Sequence, residues 1–409
     1  MANQTVNIAA SKATFYFLSI FGFFILLGVL SINGGMWQLF LTMWSGEYSD
    51  GSPRYPIYTG VAAVDYLIAM PVSFWVPAVT QMPALKLTSV VLYPTLQALA
   101  TWATIECFRQ GEKPAMLRWA PLAIFVWMWF GTGVFMGLYC YYDLVRHFYS
   151  RNLQTKIIDT ASVPYHYAVS IPAATILAYI WPYILIHFPP AGTTTAQHQT
   201  FIALNQFGSV FCYILVAAGA NYLSSNHTDN TPRPRHADAP WIKATYALYA
   251  VFCVLMHFVA IGWVLQSSDP NVSISEVFLP KFDNMHVTPL GRAKSKSMMM
   301  APEVQFFLQW DFLLAVFVGA IWATRTTEAM YCPRQGGWEP LTSAGLVFAF
   351  SIVSLLLNPG AVLSALLYVR EDFLREGQGS EQSDGVSVQQ KETKRSQKSV
   401  AELKGSYRG

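Results

Sequence analysis

A carboxylic acid inside a stretch long enough to cross a bilayer is expensive, about 2.5–3.5 kcal/mol at the helix centre on insertion scales. This sequence holds several. Asp311 stands in "VQFFLQWDFLLAVFVGAIWAT", residues 304–324, close behind Gln309. Asp65 lies in "YTGVAAVDYLIAMPVSFWVP", residues 58–77, and Glu106 closes the apolar part of "TSVVLYPTLQALATWATIECF", residues 88–108. Asp143 ends "MGLYCYYD", residues 136–143. No Lys or Arg sits mid-span; Arg146 and Lys243 fall at span ends, where long side chains snorkel.

That asymmetry sets the chemistry. Buried ions pair, and no basic partner is evident at comparable depth, so the carboxyls are expected to stay neutral. A neutral carboxylic acid in apolar surroundings is a proton donor, and it is also what a proton-coupled transporter uses as a carrier. Asp65 and Asp311 are the leading functional acids. Glu106 and Asp143, near span ends, also admit a plain interfacial reading. His166, His187 and His257 read first as structural hydrogen-bonding groups, with His166 retained as a candidate substrate contact.

Aromatic residues are the second clue. Trp75, Tyr93 and Trp102, like Trp127, Trp129, Tyr165, Tyr167, Tyr179 and Trp181, lie along the spans and not only at their ends, where interfacial belts account for rings. Lining a cavity, their π-faces would offer a cation roughly 2 kcal/mol or more once desolvated. With Gln309 and His166 they form the expected substrate-binding set. Acid donors with aromatic walls suit the opening of an epoxide and cyclisation of the resulting carbocation. The sequence has no aspartate-rich magnesium motif, P-loop, GxSxG elbow, HExxH or histidine box. Neither a metal nor an organic cofactor is expected.

These residues must be positioned by membrane helices. Of 409 residues, 53% are hydrophobic and only 12% charged, about half the charged share of a soluble domain. The expected fold is all-α: a polytopic transmembrane bundle of eight or nine spans, forming one domain. Apolar stretches of bilayer length fall near 14–32, 58–80, 87–107, 119–141, 163–187, 201–222, 241–265, 304–323 and 342–369. The last contains Asn358-Pro359-Gly360, which predicts a kinked or broken span. Trp37, Phe40, Leu41 and Trp44 suggest a short interfacial helix after the first span.

Residues 1–13 are read as an N-terminal segment, 14–369 as the helical domain and 370–409 as a polar, disordered tail. The five cysteines show neither CxxC nor zinc-like spacing. A net charge of +3 is too small to suggest nucleic acid. The expected partners are membrane lipid and a lipophilic small molecule, and the expected location is the endoplasmic reticulum membrane.

The segments around Asp65 ("YTGVAAVDYLIAMPVSFW") and Asp311 ("LQWDFLLAVF"), the Glu106 helix, and the size and span count resemble the fungal integral-membrane terpene cyclases. The likeness is to the meroterpenoid and indole-terpenoid pathway enzymes, in particular the longer ascochlorin and ascofuranone cyclase group. The resemblance extends over most of residues 14–369. It implies a metal-independent cyclase that protonates the terminal epoxide of a prenylated substrate, with Asp65, Glu106 and Asp311 as candidate acids. The alternative is a proton-coupled exporter of small lipophilic compounds, using the same acids as carriers.

Overall fold

Where this chain is apolar it has to be helical, because hydrocarbon offers no partner to open backbone N–H and C=O groups. The computed structural model describes residues 2–375 apart from position 49 and segments 150–160, 227–233, 235, 286–299 and 332–339. Among these residues the only β pairing is an isolated bridge between Glu47 and Pro53. Cys332 and positions 376–409 lie outside the described residues.

The chain opens with α1 (Ala2–Phe23), continued by a π turn and a last helical turn to Ile32, then α2 (Gly35–Ser45). There follow α3 (Ala62–Thr80), α4 (Pro83–Phe108), α5 (Ala120–Phe130) and α6 (Thr132–Leu144). Next come α7 (Tyr165–His187), α8 (Thr195–Asn205), α9 (Gly208–Asn226) and α10 (Ala239–Gln266). A short α11 (Ile274–Phe278) precedes α12 (Ala301–Tyr331), α13 (Pro340–Leu357) and α14 (Pro359–Arg375).

Among the described residues, six helices are long and apolar enough to cross a membrane, or seven if the bent pair α13–α14 counts as one span. The sequence expectation of eight or nine was therefore slightly high, for two reasons. Helix α4 is long, but Thr, Ser, Gln and Tyr dilute its apolar run. The stretch at 119–141 is not one helix: Gly131, at φ 92° and ψ 135°, separates α5 from α6.

Helices α4 and α12 are buried along most of their length and form the centre, with α4 packed against α3, α5, α10 and α12. Helix α6 lies between α1 and α12. Its approach to α1 requires glycine. A Cβ on Gly137 would stand 2.6 Å from the Phe15 carbonyl oxygen, and one on Gly22 would stand 2.6 Å from that of Gly133. Small residues four apart let two membrane helices touch backbone to backbone.

The expected break at Asn358 is a bend of 119° between α13 and α14. Asn358 adopts φ 90°, tolerable for asparagine, and Pro359 starts the new helix, a position proline favours. Asn358 Oδ1 accepts from the Thr95 hydroxyl (2.7 Å) and the Gly360 N–H (2.9 Å), and Nδ2 donates to the Val91 carbonyl (2.9 Å). All the polar atoms of the buried hinge side chain are thus satisfied against α4. The bend returns α14 into the bundle, so residues 370–375 are helical, and Arg370, Glu371 and Arg375 are buried. The tail expected from 370 onward does not begin there.

Candidate functional site

Asp311 is buried, at 2% exposure, and its partners come from another span. Oδ1 accepts the Gly133 N–H at 2.6 Å and Oδ2 accepts the Thr132 N–H at 3.3 Å. Both donors belong to the first turn of α6, freed because the chain breaks at Gly131. A helix N-terminus leaves N–H groups without intrahelical acceptors and carries a partial positive charge, so it is a ready seat for a carboxylate. The expectation for Asp311 was the absence of a basic partner, and both groups that donate to its carboxyl are backbone N–H groups. The signal was present in "FGTG", residues 130–133, where two glycines interrupt an apolar run.

Asp311 also lines a cavity of about 30 Å³. Its wall carries the rings of Phe74, Trp75, Trp127, Trp129 and Phe307, with Met36, Met70 and Met128 between them. Among the described residues of that lining, Asp311 is the only ionisable side chain. The space is narrow, and flexible methionines are the side chains able to shift for a bulky guest. Two lining residues, Trp127 and Trp129, have buried indole N–H groups without a hydrogen-bond partner.

Asp65 is elsewhere. It sits in the first turn of α3, where Oδ1 accepts from the Tyr58 N–H (3.1 Å), the Thr59 N–H (2.6 Å) and the Thr59 hydroxyl (2.8 Å). Oδ2 accepts the Gly60 N–H at 3.0 Å. Four donors from one turn make Asp65 the organiser of the loop that enters α3. It borders a different, more open hollow with Arg54 and Tyr66, sharing no lining residue with the Asp311 cavity. The structure does not bring the two aspartates together.

Glu106 belongs to a third place. Its carboxylate accepts from Arg370 (2.7 Å), Arg109 (2.8 Å) and His147 (2.9 Å). Arg370 spans from Glu106 to Asp143, donating to both Asp143 oxygens at 2.9 Å, and the Trp322 indole N–H adds 3.1 Å. Glu371 pairs with Arg109 and Arg375, and Arg375 grips Asp238 through two bonds of 2.9 Å. The sequence expectation of unpaired acids therefore fails for Glu106 and Asp143: their partners are on α14 and just beyond α4. Glu106, Asp143 and His147 present ligand atoms within 4.8 Å of one another. The Arg370 guanidinium already bridges the two carboxylates, so the donor set is committed to arginine.

Of the expected substrate contacts, Trp75 lines the cavity and meets Tyr93 edge to face, centroids 4.7 Å apart. Tyr93 stands behind it, its hydroxyl held by Asn205. Trp102 is on the ionic side, packed against Trp322 (4.8 Å) and under Arg370 (5.9 Å). Gln309 donates to the Glu276 carbonyl at 2.7 Å, fixing α11 to α12. His166 is at the start of α7, beside Tyr165, and is not in the cavity wall. Sequence reasoning named Trp127 and Trp129 among the rings along the spans without choosing them as substrate contacts, and it missed Phe307; which rings surround the Gly131 break is a tertiary fact. It also missed Arg370 and Arg375. Their helical spacing with Glu371 and Leu374 in "VREDFLR", residues 369–375, is a legible buried face.

The sequence model of one family, the CtvD domain, matches residues 11–375 of this chain. No curated protein matches it, and no solved structure does.

Proposed function

The chain belongs to the CtvD-domain family, and from that premise we propose that it is a membrane-embedded terpenoid cyclase that protonates a terminal epoxide. The family suggests a cyclase-like biosynthetic enzyme of fungal secondary metabolism. The observation that carries the finer reading is the placement of Asp311 as the sole ionisable group, among the described residues, on an aromatic cavity, with two N–H donors behind its carboxyl.

The proposed reaction is an isomerisation. The Asp311 carboxyl gives its proton to the epoxide oxygen as the bond from that oxygen to the more substituted carbon breaks. An internal alkene attacks the electron-deficient carbon, forming a carbon–carbon bond and closing a ring. The last cation loses a proton, or is captured by a substrate hydroxyl that then loses its own. That proton returns to Asp311, so the acid is regenerated and product and substrate share one formula. As charge develops on the carboxylate, the Thr132 and Gly133 N–H groups receive it; preorganised donors aimed at developing charge are the main source of such stabilisation. Faces of Trp75, Trp127 and Phe307 screen the cation, and the apolar wall keeps out the water that would trap it. The free indole N–H groups of Trp127 and Trp129 suit a substrate that carries oxygen.

The substrate class is a prenylated aromatic epoxide dissolved in the membrane. We assign the multi-pass chain to the endoplasmic reticulum as part of the same proposal. Microsomes containing the protein, given a prenyl-arene with a terminal epoxide, should form a cyclic isomer of unchanged mass. A second reading, a proton-coupled exporter, is favoured by the broken span at Asn358 and the helix break at Gly131, since transporters bind at discontinuous helices. No cyclic isomer, together with pH-gradient-driven movement of the intact epoxide into vesicles, would establish the exporter instead.

A further inference from the structure

Helix α2 has two faces with different neighbours. Met36 and Leu39 line the Asp311 cavity, and Gly35, Gln38, Thr42 and Met43 are buried with them. On the other face Trp37, Phe40 and Trp44 are exposed, Trp44 at 89%. One short helix is therefore the whole thickness of wall between the cavity and the surroundings on this side. The exposed aromatics continue the lipid-facing surface of the preceding span, where Phe24 and Ile32 are exposed. Aromatic residues on one side of a short helix are how a segment lies in the bilayer interface.

The two ends of α2 are unlike the ends of the long helices. Both are glycines in the left-handed region, Gly34 at φ 90° and Gly46 at φ 73°, a conformation that costs glycine nothing. The N-terminal end is tightly seated. Asn33 Oδ1 accepts the Gly35 N–H at 3.0 Å, and a Cβ on Gly35 would stand 3.0 Å from that of Glu303. The C-terminal end opens to space at Gly46, where nothing lies within 4 Å of a built Cβ, although Thr42 and Met43 before it are buried. Arg54 ties this end down: its backbone N–H donates to the Gly46 carbonyl (2.8 Å) and its Nη2 to the Met43 carbonyl (3.2 Å), with the Glu47–Pro53 bridge and the buried Tyr48 in the same turn.

We infer that α2 is a membrane-facing lid, fixed at Asn33–Gly35 and latched at its other end by Arg54, through which a lipophilic ligand passes sideways from the bilayer into the Asp311 cavity. Lifting the Arg54 end moves Leu39 and Met36 off the cavity and gives up the packing of α2 on α3, while the central pair α4 and α12 keeps its packing. The occupant in transit is a bilayer-dissolved amphiphile. A water-soluble one would have to cross the Trp37–Phe40–Trp44 layer. That the guest is a cyclase substrate rests on the function proposed above; the lid does not.

The test reads accessibility and not turnover. Leu39→Cys, on the lid, and Leu96→Cys, on the opposite wall in α4, are reconstituted in lipid vesicles and treated with an alkyl maleimide that partitions into bilayers. Parallel samples receive a charged maleimide, and label at each engineered residue is read by peptide mass. The lipid-soluble reagent should label both sites and the charged one neither. Arg54→Met should speed labelling on the order of tenfold, as expected for loss of one hydrogen bond from a charged donor, and Arg54→Lys should restore the slow rate. Equal labelling by the charged reagent would show a cavity open to water, and an unchanged rate in Arg54→Met would show that α2 is not the moving wall. Either result overturns the lid. Should Arg54→Met elute as an aggregate, Gly46→Val against Gly46→Asn poses the same question, because Asn tolerates the left-handed region and Val does not. A lid without cyclic product would leave the access route standing and reject the cyclase.

Discussion

The Asp311 Oδ1 atom lies 2.6 Å from the Gly133 amide nitrogen, across 178 residues of sequence. An acid in one span and the start of a half-helix in another thus form one unit, and the break at Gly131 exists at the place where its freed N–H groups meet that acid. Remove either half and the other is left with buried polarity.

Substituting Asp311 by Asn keeps the size but removes the acid. Cyclic isomer formed from a terminal epoxide should fall by about 10²–10⁴-fold, the usual contribution of a positioned general acid. Asp311→Glu should keep part of the rate, since an acid remains with a longer reach. Full turnover by the Asn variant would remove Asp311 from the chemistry.

Gly133→Ala tests the packing behind the acid. The added Cβ would stand 2.5 Å from Leu314 Cδ1, 2.9 Å from its Cβ and 3.1 Å from Asp311 Oδ1. Overpacking of this kind typically costs about 1–3 kcal/mol. A lowered melting temperature in detergent, with lost turnover, is expected; an unaltered protein would mean that α6 and α12 separate easily.

Asp65→Asn should behave differently from Asp311→Asn. Asp65 accepts four hydrogen bonds from residues 58–60, so its loss loosens the turn into α3. Stability should drop by roughly 1–3 kcal/mol, as for a carboxylate stripped from backbone donors, with turnover per folded molecule near wild type. A selective loss of turnover at normal stability would return Asp65 to the catalytic set.

Arg370→Met leaves Glu106 and Asp143 buried with less compensation. Breaking a buried pair from one side costs about 3–5 kcal/mol, so little folded protein should be recovered from membranes. Glu106→Gln in the same chain should restore part of the yield. For the same reason a chain ending at residue 375 should fold, and one ending at 369 should not. Recovery of both at equal yield would show that α14 is dispensable.

Much of this was legible in the sequence. Bilayer-length apolar runs dictate helices because hydrocarbon forbids open backbone, and Asn358-Pro359-Gly360 announced its bend through local stereochemistry. The aromatic run after the first span announced α2 in the same way. An acid in 304–324 also announced, by its insertion penalty alone, that its carboxyl needed compensation. What hydropathy and spacing do not encode is which distant group compensates a buried charge. Arg370 reaches Glu106 across 264 residues, and from the sequence the two looked like a tail residue and an unpaired acid. The bend at Asn358 brings them together. Asp65 and Asp311 looked alike as lone acids in apolar runs; only the fold placed one on the turn into α3 and the other against the α6 N-terminus. Burial penalties are local and can be read residue by residue, whereas compensation is a contact, and contacts are made by the packing of helices.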